Sequence, residues 1–479
     1  MSNALTKADA KRKRQLNPTG LLSALGKGGP VVWISCLVFG FGNIVAGQFI
    51  KGLLCLGLEA LFFWFMFGME TGGLFWLKKI KTLGDVERIE IWDEWNQCYR
   101  YEMGDESVKI LLFGVATIIA TLAFIFLWQL SVRGGYASLK LRREGKKPLT
   151  FWGDIKELFD SNIHKLLMVP PFLGILLFTI VPLVYMIPMA FTNYDKDHIT
   201  LFDWVGFDNF VTLFKSGSAL SKQFGSVLGW TLIWAFFATF LNFFLGTFVA
   251  MIINRPTTRL KGMWRTIFSL TIAVPQFVSL LIIRTMFKEN GVINTTLNEW
   301  GVTQAIYDSG IFENTMDKAH ALPFMDDTAW ARVFVIVINL WVGIPYTIMQ
   351  VTGILQNIPA DLYEAAKIDG ANVAQQFINI TLPYMIFVMT PTIIGSFTGN
   401  INNFNVIYLL TGGGPGTGDL MDKAGSTDLL VTWLFKLSQE QSNYKLSAVI
   451  GILTFVVLSI VSLVTYRSSG SYKDEEGFK

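Results

Sequence analysis

Long apolar runs alternate with shorter polar stretches along most of the chain. A helix that crosses a bilayer core needs about 20 predominantly apolar residues. Eight windows meet that requirement, at roughly residues 52–69, 110–130, 166–191, 227–253, 267–287, 333–355, 385–410 and 447–466. The pattern therefore predicts an all-α membrane protein with eight transmembrane helices.

A ninth apolar segment, residues 31–50, differs from these windows. Its sequence, "VVWISCLVFGFGNIVAGQFI", is interrupted by glycine and amide residues, namely Gly40, Gly42, Asn43, Gly47 and Gln48. Glycine inside a helix is destabilising and often marks a break or a close backbone approach. We therefore expect a re-entrant or interfacial helix here rather than a full crossing.

Charge in the connecting loops predicts the orientation. Residues 131–165 contain eight Lys/Arg against four Asp/Glu, and residues 254–266 contain four Lys/Arg and no acid. Loops rich in Lys and Arg are usually cytoplasmic. The loops 193–226, 288–332 and 411–446 are more acidic than basic, as expected outside. Both termini are then cytoplasmic, whereas a full crossing by the ninth segment would place the N-terminal "KRKR" outside.

Composition supports a membrane protein and excludes other classes. Hydrophobic residues make up 52% of the chain and charged residues 16%, against about 25% charged in soluble domains. The net charge of +3 gives no reason to expect a nucleic-acid partner. The three cysteines and three histidines are too widely spaced to predict a metal site. Residues 1–30 are basic and lack a signal-peptide pattern, so they are predicted to be a retained cytoplasmic tail.

The polar stretch 363–383, "YEAAKIDGANVAQQFINITLP", lies between the sixth and seventh predicted spans, on the cytoplasmic side. Pro359 suits the first turn of a helix, and Gly370 suits the reversal that ends it. Ala371 to Ile380 is predicted to form a second helix, with Pro383 opening the next span. A helical hairpin lying on the membrane surface would fit the same spacing.

The residue types within this stretch resemble a family signature. Its members are Glu364-Ala365-Ala366, Asp369-Gly370-Ala371, Phe377, Ile380 and Leu382-Pro383, and they resemble the EAA coupling loop of binding-protein-dependent ABC importer permeases. The resemblance implies a type I ABC importer permease core over residues 166–479, with its coupling loop at 356–383. It also implies that this loop docks into the ATPase subunit, with Glu364 meeting a basic group there.

Other stretches resemble the larger permease subunit of maltose/maltodextrin importers, notably "SFTGNINNFNVIYLLTGGGP" and "STDLLVTWLFKL". The resemblance implies several partners: a second permease subunit, two ATPase subunits, an extracellular sugar-binding protein and an oligosaccharide. ATP and Mg²⁺ would be used by the ATPase, and no cofactor is expected on this chain. The short outer loop 193–226 and the N-terminal hairpin region and linker, residues 31–165, are similar to Gram-positive versions.

Polar residues inside two predicted spans mark a candidate substrate path. Ser396, Asn400 and Asn403 fall on one helical face. Val342, Gly343 and Tyr346 cluster beside Pro345, which is expected to break the preceding helix. Such side chains suit a sugar, but asparagines in a bundle also bond neighbouring helices. The resemblance implies sugar-binding roles for all six: Val342, Gly343, Tyr346, Ser396, Asn400 and Asn403.

Two other function classes remain as alternatives to an importer permease. A membrane-embedded glycan or lipid transferase would need carboxylates or histidines near the membrane interface, and the spans contain few. A secondary transporter would need a buried coupling carboxylate, which the last five spans lack. The glycine-rich stretch Gly20–Gly29 does not have phosphate-loop spacing, so ATP hydrolysis is expected on a separate subunit.

Overall fold

The computed structural model describes residues 20–255, 257–310, 321–416 and 424–468. These residues form two compact units, the first ending at Val205 and the second beginning at Gly206. Most of the predicted basic tail, residues 1–30, lies outside the described residues. The predicted boundary between residues 165 and 166 stays a prediction, and it falls within a helix, Ile163–Met189, that belongs to the first unit.

The first unit contains eight helices and one hairpin among its described residues. In chain order they are α1 (Leu21–Lys27), α2 (Pro30–Leu37), α3 (Phe41–Val45), α4 (Phe49–Phe67), α5 (Gly73–Lys79), β1 (Ile89–Asp93), β2 (Cys98–Glu102), α6 (Ser107–Arg143), α7 (Phe151–Phe159) and α8 (Ile163–Met189). Helices α4, α6 and α8 are long and apolar enough to cross a membrane.

The ninth apolar segment forms the short helices α2 and α3, of eight and five residues. At 1.5 Å per residue neither exceeds about 12 Å, so neither helix alone is long enough to cross a membrane. That the whole segment does not cross stays a prediction. Side chains satisfy the backbone where the two helices meet: Glu59 accepts from the Phe39 N–H at 2.9 Å, and Ser131 accepts from the Gly40 N–H at 3.0 Å. Irregular backbone at membrane depth requires such partners.

The antiparallel hairpin β1–β2 was not predicted from the sequence. Ile89 pairs with Glu102 and Asp93 with Cys98. The alternation "IEIWD" and "CYRYE" is typical of strands, and aromatic pairs such as Trp92 opposite Tyr99 stabilise them. An apolar-window search misses these segments because they are short and carry charge.

The second unit contains twelve helices among its described residues. They are α9 (Asp208–Phe214), α10 (Ala219–Asn254), α11 (Lys261–Ala273), α12 (Gln276–Met286), α13 (Val292–Glu299), α14 (Val302–Asp308), α15 (Thr328–Asn357), α16 (Ala360–Ile368), α17 (residues 373–401), α18 (Phe404–Leu410), α19 (Leu430–Gln439) and α20 (Tyr444–Ser468). Helix α17 comprises Val373–Gln376, a π-helical turn Phe377–Thr381, and Leu382–Ile401.

All eight predicted windows coincide with membrane-length helical segments in the described chain. Seven are helices long and apolar enough to cross, and the eighth is the pair α11 and α12, bent by 87°. The bend follows from Pro275, which lacks an N–H and disfavours helical geometry at the residue before it. Val274 accordingly has ψ 125°, outside the helical region. The all-α membrane class is therefore confirmed, with one span broken.

Prolines disturb other spans less than the sequence indicated. The expectation that Pro345 breaks its helix is wrong, because α15 continues through it from Thr328 to Asn357. In α8 and α17 a π-helical turn ends two residues before a proline, Pro182 and Pro383 respectively. A π turn widens the helix locally, which relieves the clash between a proline ring and the preceding turn.

The predicted orientation can be tested by cysteine labelling in a background that lacks Cys36, Cys55 and Cys98. We expect Leu22→Cys and Lys147→Cys to react from the cytoplasmic side and Glu94→Cys from the outside, because α6 crosses between positions 94 and 147. Labelling with membrane-impermeant maleimide in intact cells and inverted vesicles measures this. Reaction of Leu22→Cys and Glu94→Cys from the same side would show that residues 31–50 form a ninth crossing.

Candidate functional site

Helices α10, α15 and α17 line an open cavity of about 350 Å³ in the second unit. We call it the central cavity. Its lining residues are Ala238, Thr239, Asn242, Phe243, Asn339, Gly343, Tyr346, Thr347, Gln350, Met389, Thr392, Ile393, Ser396, Gly399, Asn400 and Asn403. This volume lies at the small end of the range for small-molecule sites.

The structure brings five of the six sequence-predicted sugar residues to this cavity. Gly343 and Tyr346 reach it from α15, whereas Ser396, Asn400 and Asn403 reach it from α17 and the break that follows. Val342 is not among the lining residues. It packs against the hydrophobic core of the unit and, with Tyr346, lines a smaller neighbouring pocket. Ser396 and Asn400 therefore share the predicted helical face, and that face meets the cavity. The prediction that Asn403 lies on the same helix is wrong, because α17 ends at Ile401 and Asn403 is the N-cap of α18.

Three amide residues of the lining were missed from the sequence: Asn242, Asn339 and Gln350. Each is a single amide in a long apolar run, and such residues are functional candidates in membrane spans. Asn242 has a further feature, because its Oδ1 is buried without a hydrogen-bond partner in the structure. A free acceptor in the wall of a cavity is suited to a hydroxyl donor of a ligand.

The asparagines also bond one another and the neighbouring helices. Asn400 Nδ2 donates to Thr239 Oγ1 of α10 at 3.0 Å. Asn403 Nδ2 lies 3.3 Å from Asn400 Oδ1 and 3.5 Å from Asn339 Oδ1 of α15. Asn403 Oδ1 in addition caps α18 by accepting from the Val406 N–H. These residues therefore both face the cavity and join its helices.

A hydrophobic cluster packs beside the asparagines of the cavity. Trp234, Ile401 and Val406 are almost fully buried there. The Trp234 indole donates to the Asn400 carbonyl at 3.0 Å, which joins α10 to the end of α17. Gln350 and Met389 line the cavity further along α15 and α17, toward the ends of those helices that meet α16 and its turn.

The cavity wall is polar but carries no formal charge. Five of its lining residues bear amides and five bear hydroxyls, and the rings of Phe243 and Tyr346 are also present. None of these lining residues is Asp, Glu, Lys, Arg or His. Such a wall offers both donors and acceptors while giving no electrostatic preference for an ion.

The predicted coupling segment forms a compact turn between α16 and α17. Gly370 has φ +77°, a left-handed conformation that glycine adopts without a Cβ penalty. Asn372 and Gln375 form a capping box at the start of α17. Tyr363 Oη lies 2.8 Å from Thr381 Oγ1 and ties α16 to α17. These contacts hold the segment in one conformation.

The second helix of this segment differs from the prediction. It starts at Val373 rather than Ala371, and it does not end near Ile380 but continues through the π-helical turn into the span of α17. The capping box fixes the start, and the π turn accommodates Pro383 without ending the helix. The segment that contains the predicted docking residues is therefore one helix with the wall of the central cavity.

The signature residues lie at the surface of the described chain. Glu364, Ala365, Asp369 and Gly370 are exposed, whereas Ala366 and Ala371 are half-buried. Apolar neighbours are exposed as well, with Ile368 at 86% and Val373 at 74%. Exposed apolar side chains around a carboxylate are typical of a protein contact surface.

Comparison with known proteins decides the family. A family model described as a binding-protein-dependent transport system inner membrane component matches residues 242–469. The galactooligosaccharides transport system permease protein GanP of Bacillus subtilis is 36% identical over 453 residues, covering 93% of this chain and 99% of the relative. The chain belongs to this transport family. The maltodextrin transport system permease protein MalC of Streptococcus pneumoniae serotype 4 is 32% identical over 446 residues, covering 92% and 96%.

The family gives the chain its role as a multi-pass permease subunit of a binding-protein-dependent transporter. Such a subunit is not an enzyme, and ATP hydrolysis belongs to a separate ATPase. The fold agrees: a crystal structure of a bacterial ABC transporter involved in the import of the acidic polysaccharide alginate aligns with a TM-score of 0.50 at 23% identity. That alignment covers 66% of this chain and 97% of the other.

The packing that shapes the cavity of this permease can be tested at Gly343. A Cβ there would lie 2.5 Å from Asn242 Nδ2 of α10. We expect Gly343→Ala to destabilise the purified protein by about 1–3 kcal/mol, the usual cost of overpacking, seen as a lower unfolding temperature in detergent. Gly353→Ala, on the same helix with no atom within 4 Å, is the matched control.

A double variant separates this clash from a general intolerance of alanine at the site. Asn242→Ala removes the atoms that the new methyl group would meet, so Gly343→Ala with Asn242→Ala should recover most of the lost stability. Equal unfolding temperatures for Gly343→Ala and Gly353→Ala would contradict the close approach of the two helices.

Proposed function

We propose that this permease translocates a neutral hexose oligosaccharide, delivered by an extracellular binding protein, through the central cavity. The observation that carries the proposal is the composition of the wall: five amides, five hydroxyls and two aromatic rings without a charged side chain. A sugar presents many hydroxyls, which both donate and accept, together with apolar ring faces. The wall complements both features.

Individual side chains have distinct roles in this proposal. Ser396 and Tyr346 carry hydroxyls that make no hydrogen bond to another side chain or to the backbone in the described chain, so they are available to a ligand. Asn242 Oδ1 is an unpaired acceptor. Asn400 and Asn403 bond neighbours in this structure, so a sugar would exchange those bonds for its own. The rings of Tyr346 and Phe243 offer flat apolar surfaces.

The relatives define the range of substrates for testing. One relative is named for galactooligosaccharides at 36% identity and another for maltodextrin at 32%. Maltodextrin-type sugars stay our prediction, and galactooligosaccharides are the second candidate because of the higher identity. A transferase or a secondary transporter would need a reactive or ion-coupling group at the cavity, and its lining holds no carboxylate or histidine.

The proposal extends to the assembly and its orientation. The permease pairs with a second permease subunit, and the assembly contains two ATPase subunits. One of them docks on the cytoplasmic coupling segment of this chain through Glu364, Ala365, Ala366, Asp369, Gly370 and Ala371. Both termini lie in the cytoplasm of what we take to be a Gram-positive bacterium. Basic loops at 131–165 and 254–266, and the exposed apolar residues beside Glu364, support this arrangement.

Removing cavity hydroxyls should reduce sugar uptake without affecting the fold. Each neutral hydrogen bond contributes about 0.5–1.5 kcal/mol, so we expect Ser396→Ala and Tyr346→Phe each to lower uptake roughly two- to tenfold. The measurement is uptake of radiolabelled maltotriose and of galactotriose by vesicles containing the whole transporter. Thr398→Val is the matched control, since its hydroxyl bonds the backbone of its own helix and does not line the cavity.

The asparagines need a second readout because they also join helices. Asn400→Ala should lower uptake together with the unfolding temperature, as the bond to Thr239 is lost. Ser396→Ala should lower uptake alone. Normal uptake of both sugars by Ser396→Ala and Tyr346→Phe would show that the sugar does not contact these hydroxyls.

Reversing the charge at Glu364 should uncouple the ATPase. We expect Glu364→Lys to reach the membrane in normal amounts but to lose most copurifying ATPase and at least tenfold of ATP-driven uptake, because a basic partner would be repelled. Asp160→Lys, an exposed acid on the same predicted side, is the control. Wild-type transport by Glu364→Lys would contradict the docking role.

A further inference from the structure

A second cavity, of about 380 Å³, lies at the ends of α10 and α15 where each helix begins. We call it the outer pocket. Its lining residues are Ala219, Lys222, Gln223, Ser226, Val227, Trp230, Thr328, Arg332 and the loop residues Ala424, Gly425, Ser426 and Asp428. Neither the sugar site nor the coupling segment uses these residues.

The unpaired groups of the outer pocket can all donate a hydrogen bond. Gln223 Nε2 and Ser426 Oγ are buried without a partner, and Ser426 is only 8% exposed. The Lys222 ammonium makes no ion pair with another described residue. Arg332 Nε donates to the Ser426 carbonyl oxygen at 3.0 Å. The guanidinium group stacks on Trp230, with its carbon 4.6 Å from the ring centre. These contacts leave the terminal nitrogens of Arg332 free.

The acid in the pocket wall does not neutralise these cations. Asp428 is fully buried, and its carboxylate is 2.7 Å from Lys436 Nζ. The same carboxylate accepts from the Thr432 hydroxyl at 2.8 Å and from the Gly425 N–H at 2.7 Å. Its charge is therefore compensated by Lys436 and Thr432 of α19 and by the Gly425 N–H, and Lys222 and Arg332 give the pocket a positive potential.

A site with free hydrogen-bond donors and two cations suits a ligand group that accepts hydrogen bonds and has no proton to donate. Carboxylate is such a group, and an arginine held by stacking presents its terminal nitrogens for a two-point contact with it. A sugar fits less well, because its hydroxyls would find few free acceptors, and one face of Trp230 is already covered by Arg332.

The position of the pocket favours a protein ligand over the transported solute. Helix α10 has 36 residues and is about 54 Å long, whereas the hydrocarbon core is about 30 Å thick. Its apolar window begins near residue 227, so Lys222 and Gln223 project beyond that core. The buried Trp234 and Val335 separate this pocket from the central cavity.

We propose that the outer pocket receives an acidic side chain of the extracellular binding protein, with Lys222 and Arg332 holding its carboxylate. This inference rests on the proposed function for the orientation of the chain, while the family itself requires a binding protein. The contact aligns the docked protein with α10 and α15, the two helices that also form the central cavity. Charge on both partners would make docking sensitive to ionic strength.

The test measures docking directly, by titrating the binding protein that supports uptake onto the whole transporter in nanodiscs. Lys222→Gln, whose side chain is exposed and makes no internal contact, should weaken docking about tenfold at low salt and about twofold or less at 0.5 M salt, where screening is strong. Arg332→Lys should keep more affinity than Arg332→Gln. Lys215→Gln, an exposed lysine outside the pocket, should dock normally.

Two further measurements identify the ligand of the outer pocket. Sodium acetate should compete with docking more than sodium chloride at equal ionic strength, and this excess should vanish in Lys222→Gln. Unchanged docking by Lys222→Gln and Arg332→Gln would overturn the proposal. If these variants docked normally but no longer retained phosphatidylglycerol, the proposal would also be overturned, and the pocket would be assigned to a lipid phosphate.

The docking readout is independent of the sugar assignment. It records binding-protein affinity with and without sugar, so it stays informative if Ser396→Ala and Tyr346→Phe turn out to transport normally. In that case the central cavity would need another substrate, whereas the proposal for the outer pocket would depend only on the measured affinity for the binding protein.

Discussion

The close approach of α10 and α15 determines the rest of the second unit. Gly343 lies against Asn242, and Gly246 lies against Thr347, at distances where an added Cβ would be only 2.5 Å from its neighbour in each case. Water does not drive helices together in a bilayer, so contact of this kind depends on small residues and dispersion. The same two helices supply walls to the central cavity and to the outer pocket.

The second constraint is the continuity of α17. From Val373 to Ile401 the backbone stays helical through the π turn, over a length of about 40 Å at 1.5 Å per residue. A displacement at the capped end beside Gly370 would therefore be carried along a stiff element toward Ser396 and Asn400. A hairpin lying separately on the membrane would have no such link, because its second helix would end before the span begins.

Much of this architecture could be predicted from the sequence. The spans follow from apolar length, and the shared face of Ser396 and Asn400 follows from helical periodicity. The position of Asn403 does not, because it lies beyond the end of α17. The effects of Pro345 and Pro383 were harder to predict, because a proline in a span can break the helix or be accommodated within it. The surrounding packing decides between these outcomes. The roles of Glu59 and Asn242 depend on partners distant in sequence, Phe39 and Gly343, which no local pattern reveals.

Two asparagines of the central cavity both join its helices and line its open space. Asn400 and Asn403 bond Thr239, Asn339 and each other across three helices, and they also face the space for a ligand. A hydrogen bond exchanged for another contributes little net free energy, whereas an unmet polar group in an enclosed site is costly. A hydroxyl-rich ligand can replace these bonds one for one, but an apolar ligand of the same size would leave amides unpaired. Selection of a sugar would thus follow from the bonds that join the helices when the cavity is empty.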